Sequence, residues 1–251
     1  LIREFSTTEE AESKDPLKGK LEVEKGFNRF VWDMHYPGAK TFEGMILWGG
    51  GTQGPKAVPG EYQVTLKVGN EQMTQPFSVL ADPRWESSPQ DIQEQFDFLI
   101  SARNKLTETH QTIEDIQEVR EQMNQVVERV KDEESMSDVV DMAKAIDERI
   151  TVIEKELYQT KNRSRQDPLN YPIKLNNKLA NVASQMSAGN FKPTAQAVAY
   201  KEEITQRIDE QLDQFQEVVD QDLPAFNQLV RDKSVNAVQI DPEISELEGT
   251  H

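Results

Sequence analysis

The sequence predicts a chain of two parts, a small β-sandwich followed by a long acidic helical bundle. Three observations point to it. Up to residue 86 apolar residues recur at every second position, at Ser88-Pro89 the period changes, and beyond it they recur at steps of three and four. At 251 residues the chain exceeds the usual size of one domain, which agrees with a division there.

In the first part, Arg29 to Tyr36 places Phe30, Trp32, Met34 and Tyr36 on one face of a strand. Glu61 to Val68 repeats the pattern with Tyr62, Val64, Leu66 and Val68. Gly69-Asn70 makes a turn, and Phe77 and Val79 alternate in the strand that follows. Leu21 with Val23 suggests another strand, Met45 to Trp48 a further one, and Thr7 to Lys20 a polar loop. Five or six short strands between Gly/Pro turns predict a sandwich over residues 1–86.

In the second part, a serine N-cap with proline at the first helical position starts a helix at Ser88-Pro89. The stripe from Ile92 to Val130 predicts one helix of about 40 residues, roughly 63 Å long. After a turn at Lys131–Ser135 come a second stripe, from Val139 to Leu157, and a break at Asn162–Tyr171. A shorter stripe from Leu175 to Met186 stops at Gly189-Asn190. Pro193-Thr194 opens the last helix, which Pro224 should kink, and the pattern fades after Asp232. The helical lengths predict an antiparallel bundle over residues 87–235. It has three rods, the middle one broken at Asn162–Tyr171, with an up-down four-helix bundle as the alternative. Residues 236–251 read as an irregular acidic tail.

Charge divides unevenly. Residues 1–87 carry 10 Lys/Arg and 13 Asp/Glu, a net of −3; residues 88–251 carry 18 and 32, a net of −14, which together give the formal −17. Such a balance argues against nucleic acid and against an anionic membrane surface as partners. No cysteine is present, which excludes disulfides, thiolate nucleophiles and cysteine-ligated zinc. No apolar run approaches the ~20 residues needed to span a bilayer. The chain opens on Leu1-Ile2-Arg3-Glu4-Phe5, like a strand already under way, so it is expected to be a fragment whose export signal lies upstream.

Two groups of motifs carry a family resemblance. Gly26-Phe27-Asn28-Arg29-Phe30-Val31-Trp32-Asp33-Met34-His35-Tyr36 and Pro59-Gly60-Glu61-Tyr62-Gln63-Val64-Thr65-Leu66 resemble the Ig-like domain that follows the β-propeller in bacterial BNR-repeat, sortilin-like proteins labelled glycosyl hydrolase-like. A similar strand pair recurs in flagellar hook-capping proteins. Asp82-Pro83-Arg84, Leu169-Asn170-Tyr171-Pro172, Lys178-Leu179, Lys192-Pro193-Thr194 and Asp222-Leu223-Pro224-Ala225-Phe226-Asn227 resemble the C-terminal region of the same propeller proteins. The resemblance implies an Ig-like sandwich, an upstream propeller in the same polypeptide as partner, export to the periplasm or cell surface, and an accessory role. Any hydrolase chemistry would lie in the propeller, and no Asp-box occurs in this sequence.

The candidate chemistry is sparse. The run Trp48-Gly49-Gly50-Gly51-Thr52-Gln53-Gly54-Pro55-Lys56 fails as a phosphate loop, because Pro55 interrupts the motif and no helix follows. His110 and Glu114 have a metal-ligand spacing, but His110 sits on the apolar stripe and no other helix supplies a histidine, so no metal and no cofactor are expected. His35 is expected at the surface, and His251 ends the chain. Acid pairs such as Glu202-Glu203 are adjacent on helix faces, not opposed across a cleft, and no nucleophile elbow is present. No catalytic residue is assigned. Two function classes remain: a protein-interaction module, possible partners lying against the bundle, and a carbohydrate-binding module built on Trp48, Gly50 and Thr52. Trp32 and Tyr62 read as core aromatics, and Pro83 with Trp85 as the plug at the domain joint.

Overall fold

The structure, a computed structural model, describes residues 1–7 and 17–235. The acidic tail and His251 fall outside these described residues. The strands are β1 (Glu4–Ser6), β2 (Lys18–Lys20), β3 (Gly60–Val68) and β4 (Glu71–Val79). The helices are α1 (Pro89–Val130), α2 (Ser137–Leu157), α3 (Leu175–Met186), α4 (Ala195–Glu217) and α5 (Leu223–Asp232).

The chain is 53% helical, and the strands among the described residues form only two sheets of two strands each. This overturns the expected fold class: there is no Ig-like sandwich, and a sandwich followed by a separate long bundle is not what forms. β1 and β2 pair in parallel, while β3 and β4 form an antiparallel hairpin around Gly69-Asn70. Gly69 has a φ of +59°, so glycine occupies the first central position that a tight hairpin turn of this hand requires.

Three of the expected strands do not form: Leu21 and Val23 lie just past β2, which itself falls in the stretch expected as a polar loop, and the other two fail for physical reasons. In Arg29–Tyr36 the backbone turns left-handed at Met34 (φ +60°), and only His35 makes a single bridge, to Lys56. Phe30, Val31 and Met34 are exposed. Met45–Trp48 reads as apolar strand, but its backbone bonds to the side chains of Tyr158, just past α2, and of Asn177 in α3, and not to a neighbouring strand.

The helix signals hold locally. Ser88 and Asp91 exchange bonds at the start of α1, Ser88 Oγ accepting from Asp91 N–H at 3.1 Å. Thr194 Oγ1 accepts from Ala197 N–H at 3.2 Å and caps α4. Gly189, with a φ of +79°, follows the end of α3. Pro224 does not end the last helix. A five-residue π-helical turn, Val218–Asp222, precedes it and widens the helix where the proline lacks its N–H.

The chain forms two compact units, and they do not divide at residue 87. The first comprises Leu1–Gln111 and Leu157–Asp209; the second takes the chain from Thr112 to Glu156 and from Glu210 on. In the first unit Ile92, Phe98, Ala102, Leu106, Leu175, Leu179, Ile204 and Ile208 are buried with Phe42 and Tyr158. Gln95 donates to Met186 O and Asn176 to His110, so α3 runs antiparallel to this part of α1. In the second unit Ile113, Ile116, Met123, Val139, Ile146, Ile150, Ile153 and Phe226 are buried. There Gln117 meets Glu154 and Arg120 meets Asp147, so α2 runs antiparallel to its part of α1.

Candidate functional site

Two features of the first unit compete as the functional surface. One is a lobe, residues 34–57, clasped onto helices. The other is the β3–β4 hairpin.

The lobe starts and ends in an extended ribbon. Tyr36 N–H donates to Pro55 O, Ala39 N–H to Thr52 O, and Ala57 N–H to Met34 O. Gly54 is essential to this approach, since a Cβ there would lie 2.2 Å from Tyr36 O. The lobe's tip is then held by polar side chains. Thr107 Oγ1 accepts from Lys40 N–H (3.2 Å), and the Tyr158 hydroxyl accepts from Ile46 N–H (3.1 Å). Asn177, itself buried, accepts from Trp48 N–H at 2.7 Å and donates to Trp48 O at 2.9 Å. One amide side chain thus satisfies both backbone groups that a neighbouring strand would have paired. Gly50 lies flat on α3, where a Cβ would come within 2.8 Å of the Ala180–Asn181 backbone.

His110 is fully buried beneath this lobe. Its Nδ1–H donates to Lys40 O, and its Nε2 accepts from Asn176 Nδ2 at 3.3 Å. Asn176 Oδ1 accepts from Asn177 N–H (2.7 Å), which fixes the orientation of that amide. Phe42 stands edge-on to the imidazole, 5.5 Å away. The ring therefore packs, as its stripe position indicates, and also carries hydrogen bonds that the stripe does not reveal. Among the described residues no group of three or more His, Asp or Glu is placed to hold a metal ion.

The structure brings Trp48, Gly50 and Thr52 onto one lobe, but it uses their backbones. Thr52 O receives Ala39 N–H, and Gly50 is pressed on α3. Trp48 is 39% exposed. Pro83 and Trp85 do not plug a joint between two domains. Trp85 is 38% exposed and Pro83 is exposed; both lie inside the first unit. With the Asn190 amide turned to satisfy both its ends, Trp85 Nε1 donates to it at 3.2 Å, and Ser87 Oγ donates to Asn190 O. His35 is half-buried, not at the surface, with Nδ1 2.9 Å from Asp33 O.

The hairpin offers a different kind of surface. Its register puts Tyr62 opposite Phe77, Val64 opposite Gln75, Leu66 opposite Met73 and Val68 opposite Glu71, all on one face. Trp32 covers one end of that face, its ring 6.1 Å from Tyr62 and 6.3 Å from Phe77. Trp32 Nε1 donates to His35 O, and the Tyr62 hydroxyl donates to Val58 O at 2.6 Å. Partial burial, with Tyr36 nearby, raises the Tyr62 pKa above its ordinary value. The other end is bare: Val64 is 55%, Leu66 51%, Val68 63% and Met73 60% exposed. The opposite face is polar, with Thr65 and Thr74 hydroxyls 3.0 Å apart and Ser78 donating to Glu61 at 2.6 Å. Alternation marked Tyr62, Val64, Leu66 and Val68 as one face; it could not reveal that no second sheet covers it.

Four aspartates are held toward the ionised form by hydrogen bonds. Asp82 is held below its ordinary pKa by Arg84, Asp91 by Ser88, Asp138 by Lys233, and Asp167 by the Arg163 and Ser164 N–H groups. No helix among the described residues is long and apolar enough to cross a membrane. Searches of family models, of curated proteins and of solved structures find no match to this chain.

Proposed function

We propose that the chain is a non-catalytic interaction module that docks through the apolar face of the β3–β4 hairpin. The partner proposed is the β-propeller of the same exported polypeptide, to which the sequence motifs point. The observation that carries this reading is the bare run of Val64, Leu66, Val68 and Met73 on an otherwise well-paired hairpin. Contiguous apolar faces of this kind mark contact sites, because leaving them in water forgoes the gain of burial. Covering these four half-exposed side chains stabilises a complex by roughly 1 kcal/mol each.

Hydroxyl-radical footprinting tests the docking. The chain alone is compared with the longer polypeptide that includes the propeller. Oxidation of Met73 and Leu66 is expected to fall several-fold in the longer protein, while Trp48 keeps its rate. Equal labelling of the hairpin face in both would sink the reading.

A further inference from the structure

The hairpin has edges as well as a face, and the two edges differ. Val68 and Glu71 flank the two-residue turn and form a pair that exchanges both backbone bonds. Counting back along the register, such pairs alternate with pairs whose N–H and C=O groups point outward. On β4 the outward residues are Gln72, Thr74, Pro76 and Ser78. Pro76 has no N–H, so this edge is interrupted at its middle. On β3 the outward residues are Glu61, Gln63, Thr65 and Lys67. All four are exposed, and none is a proline. A two-stranded ribbon is marginal alone and gains from further strands.

We propose that the open β3 edge pairs with β3 of a second copy of this chain, giving a continuous four-stranded antiparallel sheet in the order β4–β3–β3–β4. The register follows from charge. With the two-fold axis at Val64, Glu61 of each copy lies opposite Lys67 of the second copy, and Gln63 lies opposite Thr65. All four outward residues of each strand are then engaged. A shift of one step toward the turn sets Gln63 against Lys67 and leaves Glu61 opposite Gly69; one step the other way leaves Lys67 beyond the strand. Only the register centred on Val64 makes both Glu–Lys pairs. The same register sets Val64 against Val64 and Tyr62 against Leu66 on the apolar face, so apolar meets apolar and polar meets polar along the whole strand. Ser78 holds the Glu61 carboxylate on the polar face. The pairing uses the edge and leaves the apolar face available, so it stands or falls separately from the docking reading.

Sedimentation velocity on the full chain, from low micromolar to several hundred micromolar, tests the pairing. The unaltered chain is expected to pass from monomer to dimer. Thr65→Pro removes an outward N–H and no bond of the hairpin ladder, and should abolish the dimer while circular dichroism is unchanged. Lys67→Glu sets like charges opposite each other twice per dimer and should weaken it roughly tenfold. The double variant Glu61→Lys/Lys67→Glu restores opposite charges and should recover the dimer. A chain that stays monomeric throughout, a dimer indifferent to Thr65→Pro, or a double variant as weak as Lys67→Glu would each overturn the proposal.

Discussion

At the scale of single residues, His110 shows how a stripe position can hide polar work. The ring is inaccessible to water, and both nitrogens are used, one toward Lys40 O and one toward Asn176. From the helical stripe alone, leucine at this position should be harmless. The structure reverses that expectation, because His110→Leu removes the bond to the Lys40 carbonyl and the bond to the buried Asn176 amide. A buried amide left without its partner costs about 1–3 kcal/mol. Urea unfolding is expected to show His110→Leu less stable than the parent by that order, and equal midpoints would show that the two bonds contribute nothing. The clue in the sequence was Asn176-Asn177, two amides at the start of an apolar helix where neither favours helix formation. Asn177 clasps Trp48 and Asn176 orients His110. Periodicity sorts residues by polarity and has no means of finding a polar group whose partner lies 66 or 129 positions away.

At the scale of elements, local signals succeeded where the bonds they predict are local. Ser88 and Asp91 close a box over three residues, Thr194 caps α4 over three, and Gly69-Asn70 turns the hairpin. Arg29–Tyr36 and Met45–Trp48 failed because strands need long partner strands: the first finds only a short backbone ribbon with residues 55–57 at its end, and the second finds the side chains of Tyr158 and Asn177. The box at α1 also carries a pH signature. Hydrogen bonds from the Ser88 hydroxyl and N–H hold the Asp91 carboxylate below its ordinary pKa. A depressed pKa adds stability above the unfolded value and loses it as pH falls through the folded value. Asp91→Asn is therefore expected to melt below the parent at pH 7, and the gap should close as pH drops below about 4. A gap that persists at pH 2 would locate the contribution of Asp91 in something other than its charge.

At the scale of the whole molecule, 45 acidic residues face 28 basic ones, a formal net charge of −17. Two electrostatic effects then oppose each other when salt is added. Ion pairs such as Arg149 with Glu217 and Asp222, or Lys105 with Glu108 and Asp209, are attractive and lose strength on screening. The surplus of negative charge is repulsive and is also screened. Magnitudes decide the sign. Partly exposed pairs contribute only about 0–1 kcal/mol each, and their charges are in contact, well inside the roughly 10 Å Debye length at 0.1 M salt. The excess acids repel mostly across longer distances, where screening acts most fully. Sodium chloride should therefore stabilise the chain at pH 7, raising Tm by about 2–4 °C for each kcal/mol of relieved repulsion. Chloride is the right anion for this measurement, because sulfate strengthens apolar burial whatever the charge. A second arm isolates the cause: near the isoelectric point of about 4.7 the surplus vanishes, and added salt should then leave Tm level or lower it. A fall in Tm with salt at pH 7 would mean that the ion pairs outweigh the net charge.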